Sequence, residues 1–481
     1  MIVLPVFYIL WSIRIIANVL SFIQLWYVKE YRFDRMFIHL KTPQGKRLLF
    51  LPFKRPPMSV KALFLFGVTV CTSILVILFS PFPLYLTFFI LDVGCFVFIA
   101  LLVALLKLPT HLLHTYKIKK SVALLRKHAS MNVIGITGSY GKTSTKEFVS
   151  TILSTEYETL KTQASKNSPI GIAELILSSL MPNHQMFVVE MGAYKKGEIA
   201  EMCAMVRPEI GIVTAINPQH QDLFGSIERT IEAKYELVSN LVGKRIVVIN
   251  ADNSYTKQMG VRAKSEGCSV IFYSVHSKKT EWYATDIEQL SDTISFVAHF
   301  GAKSARLKAS LLGVYQVSNI LAALAAAVAA GMPFEIATKA VNALVPFNKT
   351  MQPVSTSIPA QCIDDTFNNN PDAAIAALHY LKTRKGKKIL VFQPMIELGN
   401  YAGESHRNVG AVAASICNEI ILTNDNYLNY FQEGVQSKKD TTTVQVLSAK
   451  EAALFIRSHT STGDTVLFKG KEAANVLSEL K

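Results

Sequence analysis

The chain has 481 residues, half of them hydrophobic, and it carries a formal net charge of +15. This length allows roughly two to four domains, and the six cysteines are scattered without a C-x-x-C pair, which indicates neither a disulfide framework nor a zinc ribbon and fits a reducing compartment. Because much of the positive charge lies beside apolar segments, it indicates a membrane surface and not nucleic acid as the partner.

Three apolar stretches come first, at about 2–28, 60–80 and 84–106. Each approaches the ~20 residues that cross ~30 Å of hydrocarbon, and the turn S-P-F-P joins the last two into a hairpin. The first stretch has neither a basic start nor a cleavage site, which disfavours a signal peptide. Because it contains Arg14 and Asn18, it is either a true span or a re-entrant or interfacial helix.

Basic flanks predict the orientation of these segments. The loop at 29–61 holds nine lysines and arginines against two acids, and six more cations lie within 107–127. By the positive-inside rule both flanks face the cytosol, so the rest of the chain is expected there too. Arg14 and Asp92, inside apolar stretches, mark either a transport path or, as the simpler interpretation, polar contacts between helices.

The remainder of the chain alternates short β-branched runs with helical ones, which predicts an α/β fold built on parallel, doubly wound sheets. Residues 281–312 predict an antiparallel insertion at a sheet edge, and the Ala-rich run 320–330 predicts a buried helix. We divide the chain into a membrane region at 1–110, a central domain at 130–342 and a C-terminal domain at 345–481. Strands are expected at 133–136, 186–189, 210–213, 245–249, 388–392, 419–422 and 465–468.

A glycine-rich loop follows the first expected strand, with the string T-G-S-Y-G-K-T-S at 137–144. Its glycines let backbone N–H groups point at phosphate oxygens, and the positive end of the next helix, a lysine and a hydroxyl complete a site for a nucleotide and Mg²⁺. Only the G-x-x-G-K-T-S core is present, since residue 136 is Ile. The expected ATP-binding residues are Gly138, Ser139, Gly141, Lys142, Thr143 and Ser144.

The shortened loop resembles that of the Mur ligase family, the ATP-dependent amide-forming enzymes of peptidoglycan assembly, and the resemblance continues over about 131–481. The string E-M-G-A, followed by G-E-I, is similar to the corresponding string in the branch of the family that adds D-alanyl-D-alanine. The expected fold is a P-loop-type ATPase domain followed by a Rossmann-like domain. The other motifs are N-S-P-I-G at 167–171, T-A-I-N-P-Q-H at 214–220, A-K-Y-E at 233–236, D-D-T-F-N-N-N-P at 364–371 and M-I-E-L-G at 395–399.

The resemblance implies a reaction in which ATP phosphorylates a carboxylate of a muramyl peptide, and the amine of an amino acid or dipeptide attacks the acyl phosphate. It implies that Thr143, Glu190 and His220 hold Mg²⁺. Lys234 corresponds to the lysine whose carbamylation adds a further metal ligand. The catalytic residues that it implies are Lys142, Lys234 and His220, and the further nucleotide contacts are Asn319, Asp365 and Asn368.

The chain departs from the family pattern at four places. Tyr315 and Gln316 replace a His and an Asn near the adenine, and Lys349 stands where an Arg is expected, giving a point charge instead of a bidentate fork. Pro394 replaces an Asp, and K-G-K-E at 469–472 replaces K-G-S-R, both in the region expected to hold the amine. D-alanyl-D-alanine is therefore one of several amines to consider.

Apolar segments lie where that branch has the small soluble domain that binds the UDP-sugar. The acceptor is then either lipid-linked and presented at the membrane, or UDP-linked, with the anchor placing the ligase beside membrane lipid and other cell-wall enzymes. The expected location is the cytoplasmic membrane of a bacterium. Two other classes of protein compete with this interpretation. A transporter or sensor is disfavoured because three spans leave little room for a transport path. A non-catalytic nucleotide-binding scaffold is disfavoured because the loop and the metal-site residues are intact.

Overall fold

The computed structural model divides into two compact units, Met1–Tyr116 and Lys117–Lys481. The predicted metal ligand His220 lies outside the residues that the structure describes. The described residues are 3–41, 53–128, 130–163, 166–193, 195–217, 226–290, 292–396, 398–438 and 442–481.

Among the described residues, three helices of the first unit are long and apolar enough to cross a membrane: α1 (Val3–Val28), α3 (Val60–Phe79) and α4 (Leu84–Leu105). Helix α1 runs unbroken for 26 residues, or about 39 Å at 1.5 Å per residue, which favours a span over a re-entrant helix. The basic loop after it contains α2 (Phe33–Lys41), which the charge pattern did not predict. Helix α5 (Lys107–Leu125) follows the third long helix.

Polar side chains within the long apolar helices contact one another. The Asp92 carboxylate on α4 accepts hydrogen bonds from Arg14 Nε at 2.9 Å, Asn18 Nδ2 at 2.7 Å and Trp11 Nε1 at 3.3 Å, all on α1. Polar contacts of this kind hold membrane helices together. The simpler interpretation of Arg14 and Asp92, as a contact between helices, is therefore confirmed.

The second unit contains the first β-sheet, which has nine strands among the described residues. They are β1 (Asn132–Thr137), β2 (Thr159–Lys161), β3 (Met186–Glu190), β4 (Ile210–Val213), β5 (Ile246–Asn250), β6 (Ser269–Ser274), β7 (Trp282–Gln289), β8 (Ile294–Phe300) and β9 (Lys303–Ala309). Their order is β2-β3-β1-β4-β5-β6-β7-β8-β9, parallel as far as β7 and antiparallel from there on. The predicted doubly wound sheet and its antiparallel edge are both confirmed.

Helices cover both faces of this sheet, which is why its inner strands appear in the sequence as continuous apolar runs. They are α6 (Lys142–Leu153), α7 (Pro169–Ser179), α8 (Glu198–Val206), α9 (Ile227–Ser239), α10 (Ser254–Ser265), α11 (Gln316–Ala329) and α12 (Phe334–Ala340). Helices α6, α11 and α12 form the core on one face, and α7 to α10 form it on the other. Ile118, Val122 and Leu125 of α5 pack into the second of these cores.

A second sheet follows, joined to the first part of the unit by residues 345–351, here called the connecting segment. Its strands are β10 (Gln352–Val354), β11 (Gln361–Asp365), β12 (Lys388–Phe392), β13 (Glu419–Leu422), β14 (Thr443–Val446) and β15 (Thr465–Lys469). Their order is β10-β11-β15-β12-β13-β14, with only β10 antiparallel among the described strands. The helices around it are α13 (Pro371–Lys382), α14 (Ala402–Ala414), α15 (Leu428–Gln436), α16 (Ala449–His459) and α17 (Ala473–Glu479).

The register of the first sheet places the functional motifs together. Ile136 of β1 lies opposite Glu190 of β3, and Thr137 lies opposite Val213 of β4. The carboxyl ends of these three strands therefore meet at one edge, where open α/β sheets bind their ligands.

Candidate nucleotide site

The glycine-rich loop between β1 and α6 is folded tightly against its neighbours. Gly138 has φ +143° and Gly141 has φ +81°, values that residues with a side chain rarely adopt. A Cβ at Gly138 would lie 2.1 Å from Thr214 Oγ1, and one at Gly141 would lie 2.7 Å from Asn319 Oδ1. Both positions thus require glycine. Ser139 fixes the loop to the chain after β4, because its Oγ accepts the Asn217 N–H at 3.1 Å.

Lys142 curls back over the loop that precedes it. Its Nζ donates to the carbonyl oxygens of Gly138 at 2.6 Å and Ser139 at 3.1 Å. Burial lowers the pKa of the ammonium, and the nearby Glu190 carboxylate opposes that shift. The ammonium is thus held inside the curve of the loop, at the N-terminus of α6, where an anion would bind.

Glu190, the last residue of β3, presents a buried carboxylate beside the loop. It is 2% exposed, and it accepts hydrogen bonds from Thr143 Oγ1 and Asn167 Nδ2, both at 3.0 Å. Its backbone N–H donates to Thr162 Oγ1 at 2.9 Å. The predicted metal ligands Thr143 and Glu190 are therefore in direct contact, while Ser144 lies next to them in the first turn of α6.

A second lysine, Lys146, lies one helical turn beyond Lys142 and was not predicted. Its side chain is 0% exposed, and its Nζ lies 3.0 Å from Glu147 Oε1 and 3.8 Å from Glu190 Oε2. In the sequence, the indication that Lys146 lies near the loop is its spacing of four residues from Lys142, because residues at i and i+4 share one helix face. Most lysine side chains on helices are nevertheless exposed, so the spacing alone does not predict that this one is buried.

Lys234 on α9 is also buried, at 3% exposure. Burial and the positive charge of Lys142 together lower its pKa to about 7, against the opposing charges of Glu198, Glu190 and Glu236. Glu236 is held in place by the N–H groups of Gly197 and Ala200, at 2.6 and 3.0 Å, near the start of α8. The A-K-Y-E motif thus puts a partly neutral amine within electrostatic reach of the loop.

Asn319, a predicted nucleotide contact, is buried between two helices. Its Oδ1 accepts a hydrogen bond from Thr145 Oγ1 at 3.3 Å, and its Nδ2 donates to Gln316 Oε1 at 2.8 Å. The substituted pair Tyr315 and Gln316 is joined as well, since Gln316 Nε2 donates to Tyr315 Oη at 3.4 Å. These residues fasten α11 to α6 behind the loop.

The two nucleotide contacts predicted in the second sheet lie close together. Asp365, at the end of β11, forms a buried ion pair with Lys469 Nζ at 2.6 Å and also accepts the Met351 N–H at 3.2 Å. The same Nζ donates to the backbone oxygen of Asn368 at 3.1 Å. Lys469 comes from the altered K-G-K-E string, and its bonds to Asp365 and Asn368 stabilise the D-D-T-F-N-N-N-P turn. This pairing was not predicted.

A hydrogen bond links the two sheets near the loop. Asn217 Nδ2 donates to Asp372 Oδ2 at 2.6 Å, so the turn after β11 lies against the chain that supports Ser139. Among the described residues no cluster of three or more His, Cys, Asp or Glu side chains is arranged to hold a metal ion. The metal-site residues brought together are Thr143 and Glu190, with Lys234 nearby.

Two family profiles match the chain, the Mur ligase middle domain at residues 136–327 and the Mur ligase, glutamate ligase domain at 351–472. The chain belongs to the Mur ligase family. These two matches follow one another in chain order and contain the loop, Glu190, Lys234 and the D-D-T-F-N-N-N-P turn. The predicted family is therefore confirmed.

Curated relatives of this Mur ligase are named UDP-N-acetylmuramoyl-tripeptide–D-alanyl-D-alanine ligase. The one from Buchnera aphidicola is 30% identical over 63% of this chain and 66% of its own length, and the one from Escherichia coli is 30% identical over 60% and 64%. The Bacillus subtilis relative is 28% identical over 70% and 72%. The chain thus spans about two thirds of the length of the relatives that it matches.

Solved structures are similar as well. MurF from Acinetobacter baumannii is 26% identical, with a TM-score of 0.70 over 76% of this chain and 80% of that one. MurF ligase from Thermotoga maritima in complex with ADP shares the fold at 21% identity, with a TM-score of 0.66 over 76% and 83%. The predicted fold class is confirmed, as is the prediction that the chain is a ligase of this family.

Proposed function

We propose that this chain is an ATP-dependent, ADP-forming ligase that joins an amine to a carboxylate of a muramyl peptide in peptidoglycan precursor synthesis. The names of its relatives support this reaction. The observation that carries the proposal is the convergence of Lys142, Thr143 and Glu190 at the carboxyl edge of a parallel sheet. A chance G-K-T string would have no reason to lie beside a buried carboxylate.

The proposed chemistry has two steps. A carboxylate oxygen of the acceptor attacks the γ-phosphorus of ATP, and the bond from that phosphorus to ADP breaks. The amine nitrogen then attacks the acyl carbon, phosphate leaves with the C–O bond electrons, and the nitrogen loses a proton. Lys142 and the N–H groups of Gly138, Gly141 and Ser144 stabilise the negative charge on the phosphoryl oxygens. The Ser139 N–H instead donates to the Ala215 oxygen at 2.6 Å and holds the loop in place.

The donor set fits Mg²⁺. Thr143 supplies a hydroxyl and Glu190 a carboxylate, the oxygen ligands that this cation prefers, and their oxygens lie 3.0 Å apart. Bound Mg²⁺ would offset charge on the transferred phosphoryl group. We propose that His220 and the carbamate of Lys234 complete the ligand set. A pKa of about 7 supports this role for Lys234, because only a neutral amine reacts with CO₂.

We further propose Asn319, Asp365 and Asn368 as nucleotide contacts. The contact of Asn217 with Asp372 supports this assignment, since it brings the turn of the second sheet to the glycine-rich loop. Asp365 would act as a carboxylate already oriented by Lys469 and the Met351 N–H.

The amine that we propose is D-alanyl-D-alanine or a similar amino acid or dipeptide. Glu472, in the region expected for the amine, introduces a negative charge, and its Oε2 accepts hydrogen bonds from Thr423 at 2.9 Å and Asn424 at 2.6 Å. A carboxylate held in this way repels a second carboxylate. The amines tested should therefore include D-alanyl-D-alanine, D-alanine and D-alaninamide, which has no carboxylate.

We place the ligase on the cytosolic face of a bacterial cytoplasmic membrane. The three long apolar helices and the basic loop at 29–61 support that location. Because these helices occupy the position of a sugar-binding domain in the related branch, a lipid-linked acceptor is the second candidate beside a UDP-linked one. Neighbouring cell-wall enzymes would then share the same lipid surface.

The test is ADP release by the full-length protein in lipid nanodiscs. UDP-linked and polyprenyl-linked muramyl peptides are each combined with the three amines, and Lys142→Ala is the inactive control. We expect ADP release that needs both an acceptor and an amine. Nucleotide binding without ADP release in any combination would refute the ligase and leave a nucleotide-binding scaffold, and a preference for the UDP-linked acceptor would remove the lipid-linked candidate.

A further inference from the structure

Lys146 is an ammonium group buried beneath the glycine-rich loop. It is 0% exposed, and such groups are stable in a protein interior only when they are paired. Two carboxylates lie close to it, Glu147 at 3.0 Å and Glu190 at 3.8 Å. Glu147 has a second cation, because Lys161 Nζ lies 2.5 Å from its Oε2. Glu190 is the carboxylate of the predicted metal site, and Lys146 acts on it together with the charges of Lys142 and Lys234.

The same ammonium reaches an aromatic ring of the connecting segment. Lys146 Nζ lies 5.8 Å from the ring centroid of Phe347, within the range of a cation–π interaction. Phe347 packs edge-on against Phe367, with ring centroids 4.9 Å apart and planes at 87°. The Phe367 N–H in turn donates to the Lys349 oxygen at 3.0 Å. One buried charge therefore contacts both the site and the segment that joins the two sheets.

We propose that Lys146 is a positioning residue that couples the charge at Glu190 to the connecting segment. The proposal rests on the proposed function, in which Glu190 is a metal ligand. In the described arrangement Lys146 shares the Glu190 carboxylate with Thr143. When a divalent cation takes over that carboxylate, the ammonium keeps Glu147 and the Phe347 ring as neighbours, so the attraction between Lys146 and the connecting segment increases.

Lys146 also opposes the binding of a cation at Glu190, since like charges in a buried site repel one another. Lys146→Met keeps an unbranched side chain of similar length and removes the charge. The matched control is Lys161→Met, which removes the outer, half-exposed cation of the same network and contacts neither Glu190 nor Phe347. For the connecting segment, Phe347→Leu removes the ring and Phe347→Tyr retains it.

The first measurement is calorimetric titration of Mg²⁺ into the full-length protein in nanodiscs with a non-hydrolysable ATP analogue. We expect Lys146→Met to lower the Mg²⁺ concentration for half-saturation at least threefold, and Lys161→Met to change it less than twofold. A lysine that only fills space would lower the melting temperature and leave the Mg²⁺ requirement unchanged, and that result would overturn the proposal.

The second measurement is amide hydrogen exchange in residues 345–351 with and without Mg²⁺ and the analogue. We expect binding to slow exchange at least threefold in the native protein and in Phe347→Tyr, and less than 1.5-fold in Lys146→Met and Phe347→Leu. Equal slowing in all four proteins would overturn the coupling, and Phe347→Leu decides it if Lys146→Met does not fold. Failure of the native protein to bind the nucleotide would instead refute the proposed function.

Discussion

Breaking the buried ion pair between Asp365 and Lys469 should cause a large and local loss of stability. The two side chains are 6% and 3% exposed and lie 2.6 Å apart, and their positions are 104 residues apart in the sequence. Lys469→Met leaves an uncompensated carboxylate inside the second sheet, and breaking such a pair typically costs about 3–5 kcal/mol. Since 1.4 kcal/mol corresponds to a factor of ten, we expect opening of β11 and β15 to become roughly 100-fold more frequent or greater.

Amide hydrogen exchange of β11 and β15 is the suitable assay, because the three tryptophans, Trp11, Trp26 and Trp282, all lie outside the second sheet. Lys471→Met, an exposed lysine two residues away, is the control and should leave exchange within about threefold. The double variant Asp365→Leu with Lys469→Met removes both charges and should recover most of the stability. Exchange within tenfold of the native rate in Lys469→Met, or no recovery in the double variant, would refute the reasoning.

Three further predictions concern single residues. Lys234 should form a ¹³C-carbamate more readily at pH 8 than at pH 6, because its pKa of about 7 makes the amine mostly neutral only at the higher pH. NMR spectroscopy with ¹³C-labelled bicarbonate measures the carbamate, and Lys234→Met should give no carbamate signal. Gly138→Ala should weaken binding of an ATP analogue at least tenfold in calorimetry, since the Cβ would lie 2.1 Å from a threonine oxygen, whereas Gly267→Ala meets no atom within 4 Å and should bind normally. His406→Phe should destabilise α14 by about 1–3 kcal/mol, as measured by amide hydrogen exchange. The Met395 N–H donates to His406 Nε2 at 2.9 Å, and the substitution leaves this buried N–H without an acceptor. Unchanged exchange in α14 would contradict this prediction.

The strands β1, β3, β4, β5, β12, β13 and β15 could be predicted because they are buried on both faces and appear as continuous apolar runs. The inner strand β6 was not predicted, since its first residues are partly exposed and serines stand at both ends of its short apolar run. The short strands β2 and β14 were not predicted, since three or four residues with polar side chains at a sheet edge carry no such signal. β11 was missed for another reason, as its last residues, Asp364 and Asp365, are typical of a turn. The structure buries both because the strand ends inside the unit.

For the site, local motifs were sufficient for Lys142, Thr143 and Glu190, because the strand-loop-helix spacing and the parallel register bring them together. Lys146 could not be found in that way, because its surroundings include Phe347, which lies in another segment some 200 residues later. The partner of Asp365 likewise becomes visible only when β15 lies next to β11. Long-range pairing, and not local spacing, decides both cases.

The packing of α5 determines where a soluble version of this ligase should begin. Cutting the chain at residue 130, the predicted domain boundary, would delete Ile118, Val122 and Leu125 and leave an apolar gap on one face of the first sheet. Truncated proteins that start there should aggregate, whereas those that start at Lys117 retain the helical turns that seal this gap. The turns of α5 from Lys117 onward are therefore part of the second unit, and a soluble fragment has to retain them.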